Sequence, residues 1–115
     1  DMTKPYYWLD FGNTADTGQV VLGTISKIEQ PKQSKKEAIN KLKCVDEMFD
    51  LTKVKDEDSG PSCSLVEALR KQDLFINSTI AQLGCNIFWK LFSGSIENHG
   101  VFLNLKTLNS NPIKI

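Results

Sequence analysis

The sequence predicts a mixed α/β domain, and three observations carry that prediction. An aromatic-rich segment and a valine-rich segment flank a turn-forming stretch near the start. Apolar residues then recur every three or four positions through a long segment in the second half. A short alternating apolar stretch follows that segment. With 115 residues the chain suits one domain, and about two-thirds of its unfolded surface can be buried.

YYWLDF, residues 6–11, follows a proline and ends at Gly-Asn, which predicts a strand. GNTADTG, residues 12–18, is turn chemistry, and QVVLGTISKI, residues 19–28, predicts a second strand. Together they predict a hairpin whose loop holds about six residues. QPKQS, residues 30–34, predicts a linker. Ser34 and Glu37 match a capping box, so a helix is expected from there to about Asp50. Ile39, Leu42, Val45 or Asp46, and Phe49 give it an apolar stripe. LTKVKDEDSGPS, residues 51–62, predicts an exposed, mobile loop.

Ser64 and Glu67 form a second capping box, which opens a short helix. Asp73 is the expected cap of the next helix. From Leu74 to Phe92, Ile76, Ile80, Leu83, Ile87 and Leu91 form an apolar stripe, and Phe75, Phe88, Trp89 and Phe92 widen it. A helix apolar over so much of its girth is expected to be buried on more than one side. Gly94 predicts its end. GVFLNLKT, residues 100–107, alternates and predicts a strand; LNSNP predicts a turn and IKI a short final strand. The wide apolar girth and the early first strand are the marks of a unit that belongs to a larger α/β protein.

Composition narrows the function classes. Lys plus Arg and Asp plus Glu number 14 each, so the formal net charge is zero, which argues against a dedicated nucleic-acid binder. KQSKKEAINKLK, residues 32–43, is locally basic and reads most simply as a solvated helix face. No stretch approaches the ~20 apolar residues of a membrane span, and DMTKPYYW has no signal-peptide core. Three cysteines with no CxxC argue against a disulfide framework and for a reducing, cytoplasmic setting. A structural zinc lacks ligands, since His99 is the single histidine.

Cys63 is the residue with chemistry to offer. It sits just outside the expected helix start at Ser64, where unpaired N–H groups and the helix dipole favour a thiolate. Asp56, Glu57 and Asp58 oppose that effect if they lie close in space. These residues leave Cys63 open between nucleophile and filler. Cys44 and Cys85 fall in helical patterns and read as small buried apolar residues. His99 reads as a turn residue entering the strand, and Trp8 and Trp89 read as core. Asp10, Asn13 and Asp16 offer oxygen ligands to a cation, but the run lacks the later acids of a calcium loop, so ordinary turn chemistry is favoured. There is no G-x-G-x-x-G, no Walker sequence and no nucleophile elbow.

Pro61-Ser62-Cys63-Ser64, followed by Asp73-Leu74-Phe75-Ile76-Asn77, resembles the cysteine segment of ubiquitin-activating-type enzymes. WLDFGNTADTGQVVLGT is similar to the strand-turn-strand that precedes that segment in ThiF and MoeB relatives. INSTIAQLGCNIFWKLF and GVFLNLKT are similar to the helix and closing strand that follow. The likeness lies in the order and spacing of these motifs, and it is nearest to the ThiF family of PRTRC systems, found in bacterial mobile elements. It implies the C-terminal portion of a ThiF-like Rossmann-type domain, with the glycine-rich ATP half absent. It further implies an adenylyltransferase that uses Mg-ATP in its full length, with no cofactor expected for this part alone. A small ubiquitin-like or sulfur-carrier protein is the implied partner, and a homodimer the implied assembly; neither a membrane nor nucleic acid is expected. Cys63 alone carries over, as a candidate thioester-forming nucleophile. Ser64 stands where the family usually has threonine, Asp73 and Gln72 stand near its histidine, and the paired CxxC zinc ligands are missing. The competing expectation is a non-catalytic scaffold or interaction module of a mobile-element maintenance system.

Overall fold

The structure is a computed structural model, which describes residues 4–29, 32–35, 38–39, 41–49 and 74–115. Strands β1 (Tyr7–Asn13) and β2 (Thr17–Thr24) come first, followed by a one-turn helix α1 (Val45–Met48). The long helix α2 (Ile76–Ser93) then leads into β3 (Asn98–Asn104) and β4 (Asn109–Lys114). The four strands form one sheet in the order β1-β2-β3-β4, with every neighbouring pair antiparallel.

Side chains alternate along a strand, so the register sorts them between the two faces of the sheet. Leu9 pairs with Leu22, Phe11 with Val20, and Val20 with Val101. That face meets α2: Val20, Leu22 and Val101 form one buried cluster with Ile76, Ile80 and Ile87. Each fully buried isoleucine or leucine of this kind stabilises the fold by roughly 1.5–3 kcal/mol. The opposite face is partly covered by the segment around α1. Cys44 lies against Gly23, and Phe49 meets Phe102 edge-on with centroids 5.4 Å apart.

Helix α2 ends as its sequence predicts. Gly94 adopts the left-handed conformation (φ 72°), and its N–H reaches back to the carbonyls of Leu91 and Lys90. At the other end Phe75 occupies the cap position without a side-chain cap bond, and the expected cap Asp73 lies outside the described residues.

Several expectations are corrected. The first hairpin is tighter than predicted, because pairing runs to Asn13–Gly18 and leaves a four-residue connection. Thr14 and Thr17 close it through their hydroxyls. The helix expected from Ser34 to Asp50 shrinks to Val45–Met48; residues 34–35, 38–39 and 41–44 are not helical. Tertiary pairing explains this. Thr24 N–H donates to the Leu42 carbonyl (3.0 Å), and Leu42 N–H donates to Thr24 Oγ1 (3.1 Å). A backbone committed to the edge of β2 is unavailable to a helical ladder. The functioning N-terminal cap lies ten residues further on, where Glu47 Oε1 accepts from Cys44 N–H (3.1 Å).

At the C-terminal end, the turn falls at residues 105–108, and Asn109–Pro112 are part of β4 rather than a turn before it. The proline is tolerated because β4 is an edge strand. Among the described residues, no helix is long and apolar enough to cross a membrane.

Candidate functional site

Cys63, the predicted nucleophile, lies outside the described residues, as do Ser64 and Glu67. The other candidates have definite places. Cys44 is buried, as expected of a small apolar residue, and its Sγ donates to the Thr24 carbonyl at 3.6 Å. Burial pushes its thiol pKa up, and the carboxylates of Glu47 and Asp46 push it further, against a smaller opposing pull from Lys41. Glu47 shows the reciprocal effect. The Cys44 N–H bonds its carboxylate and holds it below the usual glutamate range.

Cys44, Asp46 and Glu47 bring three donor atoms within 4.8 Å of one another. One thiol and two carboxylates form a set that zinc accepts. Glu47 already serves as the α1 cap, which weighs against that use.

Asp10, Asn13 and Asp16 do not converge. Alternation along β1 sends Asp10 and Asn13 to opposite faces. Asn13 Nδ2 donates to the Thr14 carbonyl (3.1 Å), and the Asp16 carbonyl accepts from Leu105 N–H (2.8 Å). The first contact is turn chemistry, the reading the sequence favours; the second extends the β2–β3 pairing beyond Thr17–Asn104. The Asp10 carboxyl is raised by partial burial. Lys32, Lys35, Lys41 and Lys43 of the basic run are exposed, and none of them lies on a helix.

Three predictions are overturned by burial. Cys85 is exposed, although its pattern predicts a buried residue. Trp89 is 69% exposed rather than core. His99 is buried within β3 rather than standing in a turn. The β2–β3 ladder ends at Val21–Gly100, and a register irregularity falls at Asn98–Gly100. The next carbonyl on that edge, Leu22, accepts a hydrogen bond from His99 Nδ1 (2.9 Å). The imidazole thus stands in for a ladder N–H, and this bond requires the proton on Nδ1.

A groove not expected from the sequence runs between α2 and the β3–β4 hairpin. Leu83, Ile87, Val101 and Pro112 supply its apolar walls. Asn86, Lys90, Glu97 and Asn98 supply its polar groups. The buried Asn98 Oδ1 has no hydrogen-bond partner among the described residues. With a volume of about 130 Å³ the groove falls below the roughly 300 Å³ at which small-molecule pockets begin, and suits a single side chain of a partner. Sequence reasoning had no means of finding it, because its walls come from three elements brought together only by the sheet.

No protein-family model, no curated protein and no solved structure matches this chain.

Proposed function

We propose that this chain is the C-terminal part of a ThiF-type activating enzyme, which adenylates the C-terminal carboxylate of a small ubiquitin-like or sulfur-carrier protein. The observation that carries the reading is the order of parts. A hairpin bearing Gly18-Gln19-Val20, the Pro61-Ser62-Cys63 segment, the helix at Ile76–Ser93 and the strand at Asn98–Asn104 follow one another as in the resembling family. The residues of this chain do not fit a nucleotide: it has no glycine-rich phosphate loop. In this reading ATP and magnesium are held by another part of the protein, and so is the parallel half of a Rossmann-type sheet.

The contribution of this chain is Cys63. Its thiol loses a proton and attacks the activated carboxyl carbon, the activating group leaves, and a thioester forms.

A second reading, a non-catalytic interaction module, is favoured by the exposed aromatic face of α2. One experiment separates the two. The full-length protein is incubated with Mg-ATP and the small β-grasp proteins encoded beside it, then resolved on a non-reducing gel and by mass spectrometry. A thiol-labile adduct that Cys63→Ser abolishes establishes the activating enzyme. Pyrophosphate exchange without an adduct leaves an adenylating enzyme with a structural cysteine. Absence of both signals leaves the interaction module.

A further inference from the structure

The two edges of the sheet are built differently. On β4, Ile115 N–H donates inward to the Glu97 carbonyl (3.1 Å), so alternation turns the backbone of Ser110, Pro112 and Lys114 outward. A proline without an N–H and a lysine at those positions discourage a further strand. On β1, Ile25 N–H donates to the Tyr6 carbonyl and Thr14 N–H to the Thr17 carbonyl, each at 2.8 Å. Trp8, Asp10 and Gly12 therefore turn their backbone groups to β2, and Tyr7, Leu9, Phe11 and Asn13 turn theirs outward. Among the described residues nothing bonds those outward groups, and Tyr7–Asn13 holds neither proline nor lysine.

Helix α2 supplies an apolar flank to this open edge. Gly84 lies against the Phe11 ring, and Phe88 and Phe92 follow it in steps of four on that side of the helix. Ile76 and Ile80 meet Gly18, while Gly84 reaches Val20, so α2 runs along β2 and opposite to β1. Four helical residues rise about 6 Å and two strand residues about 6.6 Å. Phe88 thus stands at the level of Leu9, and Phe92 at that of Tyr7. The two rings are 44% and 69% exposed and pack edge-on, with centroids 4.6 Å apart.

The other face of β1 carries Trp8 and Asp10, both partly buried. The Asp10 carboxylate has no salt bridge or hydrogen bond among the described residues, and its burial raises its pKa.

We propose that β1 takes an extended segment of a partner protein as a fifth, antiparallel strand, in which apolar residues alternate with lysine or arginine. The inference rests on β1 and its flank, goes beyond the activating-enzyme reading, and is independent of the chemistry of Cys63.

The two faces name this occupant. Side chains of an added strand alternate, so one set lies beside Phe88 and Phe92 and the other beside Trp8 and Asp10. The first set is apolar. The second is cationic, because a basic group pairs with the carboxylate across the strands and stacks on the indole. Asp10 also rejects competitors, since an acidic residue beside it is repelled. A second copy of β1 in full overlap would set Asp10 against Asp10. The antiparallel direction matches every other pair in the sheet.

The test uses the purified full-length protein and a labelled seven-residue peptide alternating valine with lysine. In the free protein, the amides of Leu9 and Phe11 should exchange faster than those of Trp8 and Asp10. The peptide should bind and slow exchange at Leu9 and Phe11. In antiparallel pairing the residues opposite these two share their face, so N-methylation of the valines should abolish binding and N-methylation of the lysines should not. Replacing the lysines by glutamate should weaken binding by at least about fivefold, and Asp10→Asn should narrow that gap. Protection of Leu9 and Phe11 in the free protein overturns the proposal, since the chain itself or a second copy would then hold the edge. So does an absence of binding, any other pattern of N-methyl effects, or equal affinity for the lysine and glutamate peptides.

Discussion

Gly84 of α2 lies directly against the ring of Phe11 on β1: a Cβ at position 84 would overlap Cε1 and Cζ of that ring and crowd Val20 Cγ1. A glycine inside a helix costs about 1 kcal/mol relative to alanine. Here that cost secures close contact between the helix and the sheet.

The pair makes a measurable prediction. Gly84→Ala gains about 1 kcal/mol of helix propensity but overpacks the contact, which costs roughly 1–3 kcal/mol. The net expectation is a loss of about 1 kcal/mol. In a Phe11→Leu background the clash disappears, and the same substitution should stabilise. A double-mutant cycle by urea denaturation checks this; equal effects in both backgrounds would remove Phe11 from the account.

Leu108 is 80% exposed and sits at φ 61°, in the left-handed region that costs a non-glycine residue of this type roughly 1 kcal/mol or more. It belongs to the turn between β3 and β4. Leu108→Gly relieves the strain and loses little burial. Against that, glycine gives the unfolded chain more freedom. The expected outcome is a gain of up to about 1 kcal/mol, read as a rise in melting temperature. A loss of stability would show that Leu108 makes a contact its exposure does not suggest.

His99→Leu keeps an apolar body in the core but leaves the Leu22 carbonyl without its donor. Stability should fall by about 1–3 kcal/mol, the cost of a buried unpaired polar group. Amide exchange should quicken at the open end of the β2–β3 ladder, near Val21 and Gly100, before it quickens in α2. Uniform quickening across the sheet would mean the imidazole serves only as bulk.

Cys44 and Glu47 make opposite contributions to pH dependence. The folded protein holds the Cys44 proton more tightly than the unfolded chain does. This contribution to stability is therefore whole below the ordinary thiol value of 9.0, and is lost as pH climbs through the raised native value. Glu47 is depressed when folded, so its contribution is present above the ordinary 4.5 and disappears as pH falls through the lowered value. Denaturation of the native protein, Cys44→Ala and Glu47→Gln at a series of pH values should show the alkaline slope reduced in the first variant and the acid slope reduced in the second. Cys44 should also alkylate after the exposed Cys85. The reverse order of labelling would contradict the burial of Cys44.

Much of the framework was legible because its signals are local. The aromatic and β-branched runs YWLDF and QVVL, and the three-four spacing from Ile76 to Leu91, place two strands and a helix wherever the chain goes. Capping was harder. Ser34–Glu37 offers a helix start, and only the pairing of Leu42 with Thr24 decides that the helix begins after Cys44 instead. The edge role of β4 was equally hidden, because Pro112 reads as a turn until the strand is seen to lie at the rim.

By itself, the sequence determined that a hairpin, a long amphipathic helix and a closing strand exist, and roughly where each ends, because backbone propensity and side-chain period act over a few residues. Only the tertiary structure decided which face of α2 the sheet covers, so that Gly84 is buried and Trp89 is not. It also decided that His99 completes the β2 edge, and that the described residues just before Cys44 are not helical. Those outcomes depend on which backbone groups and apolar faces remain unmatched once the strands have paired, and residues distant in the chain settle that balance.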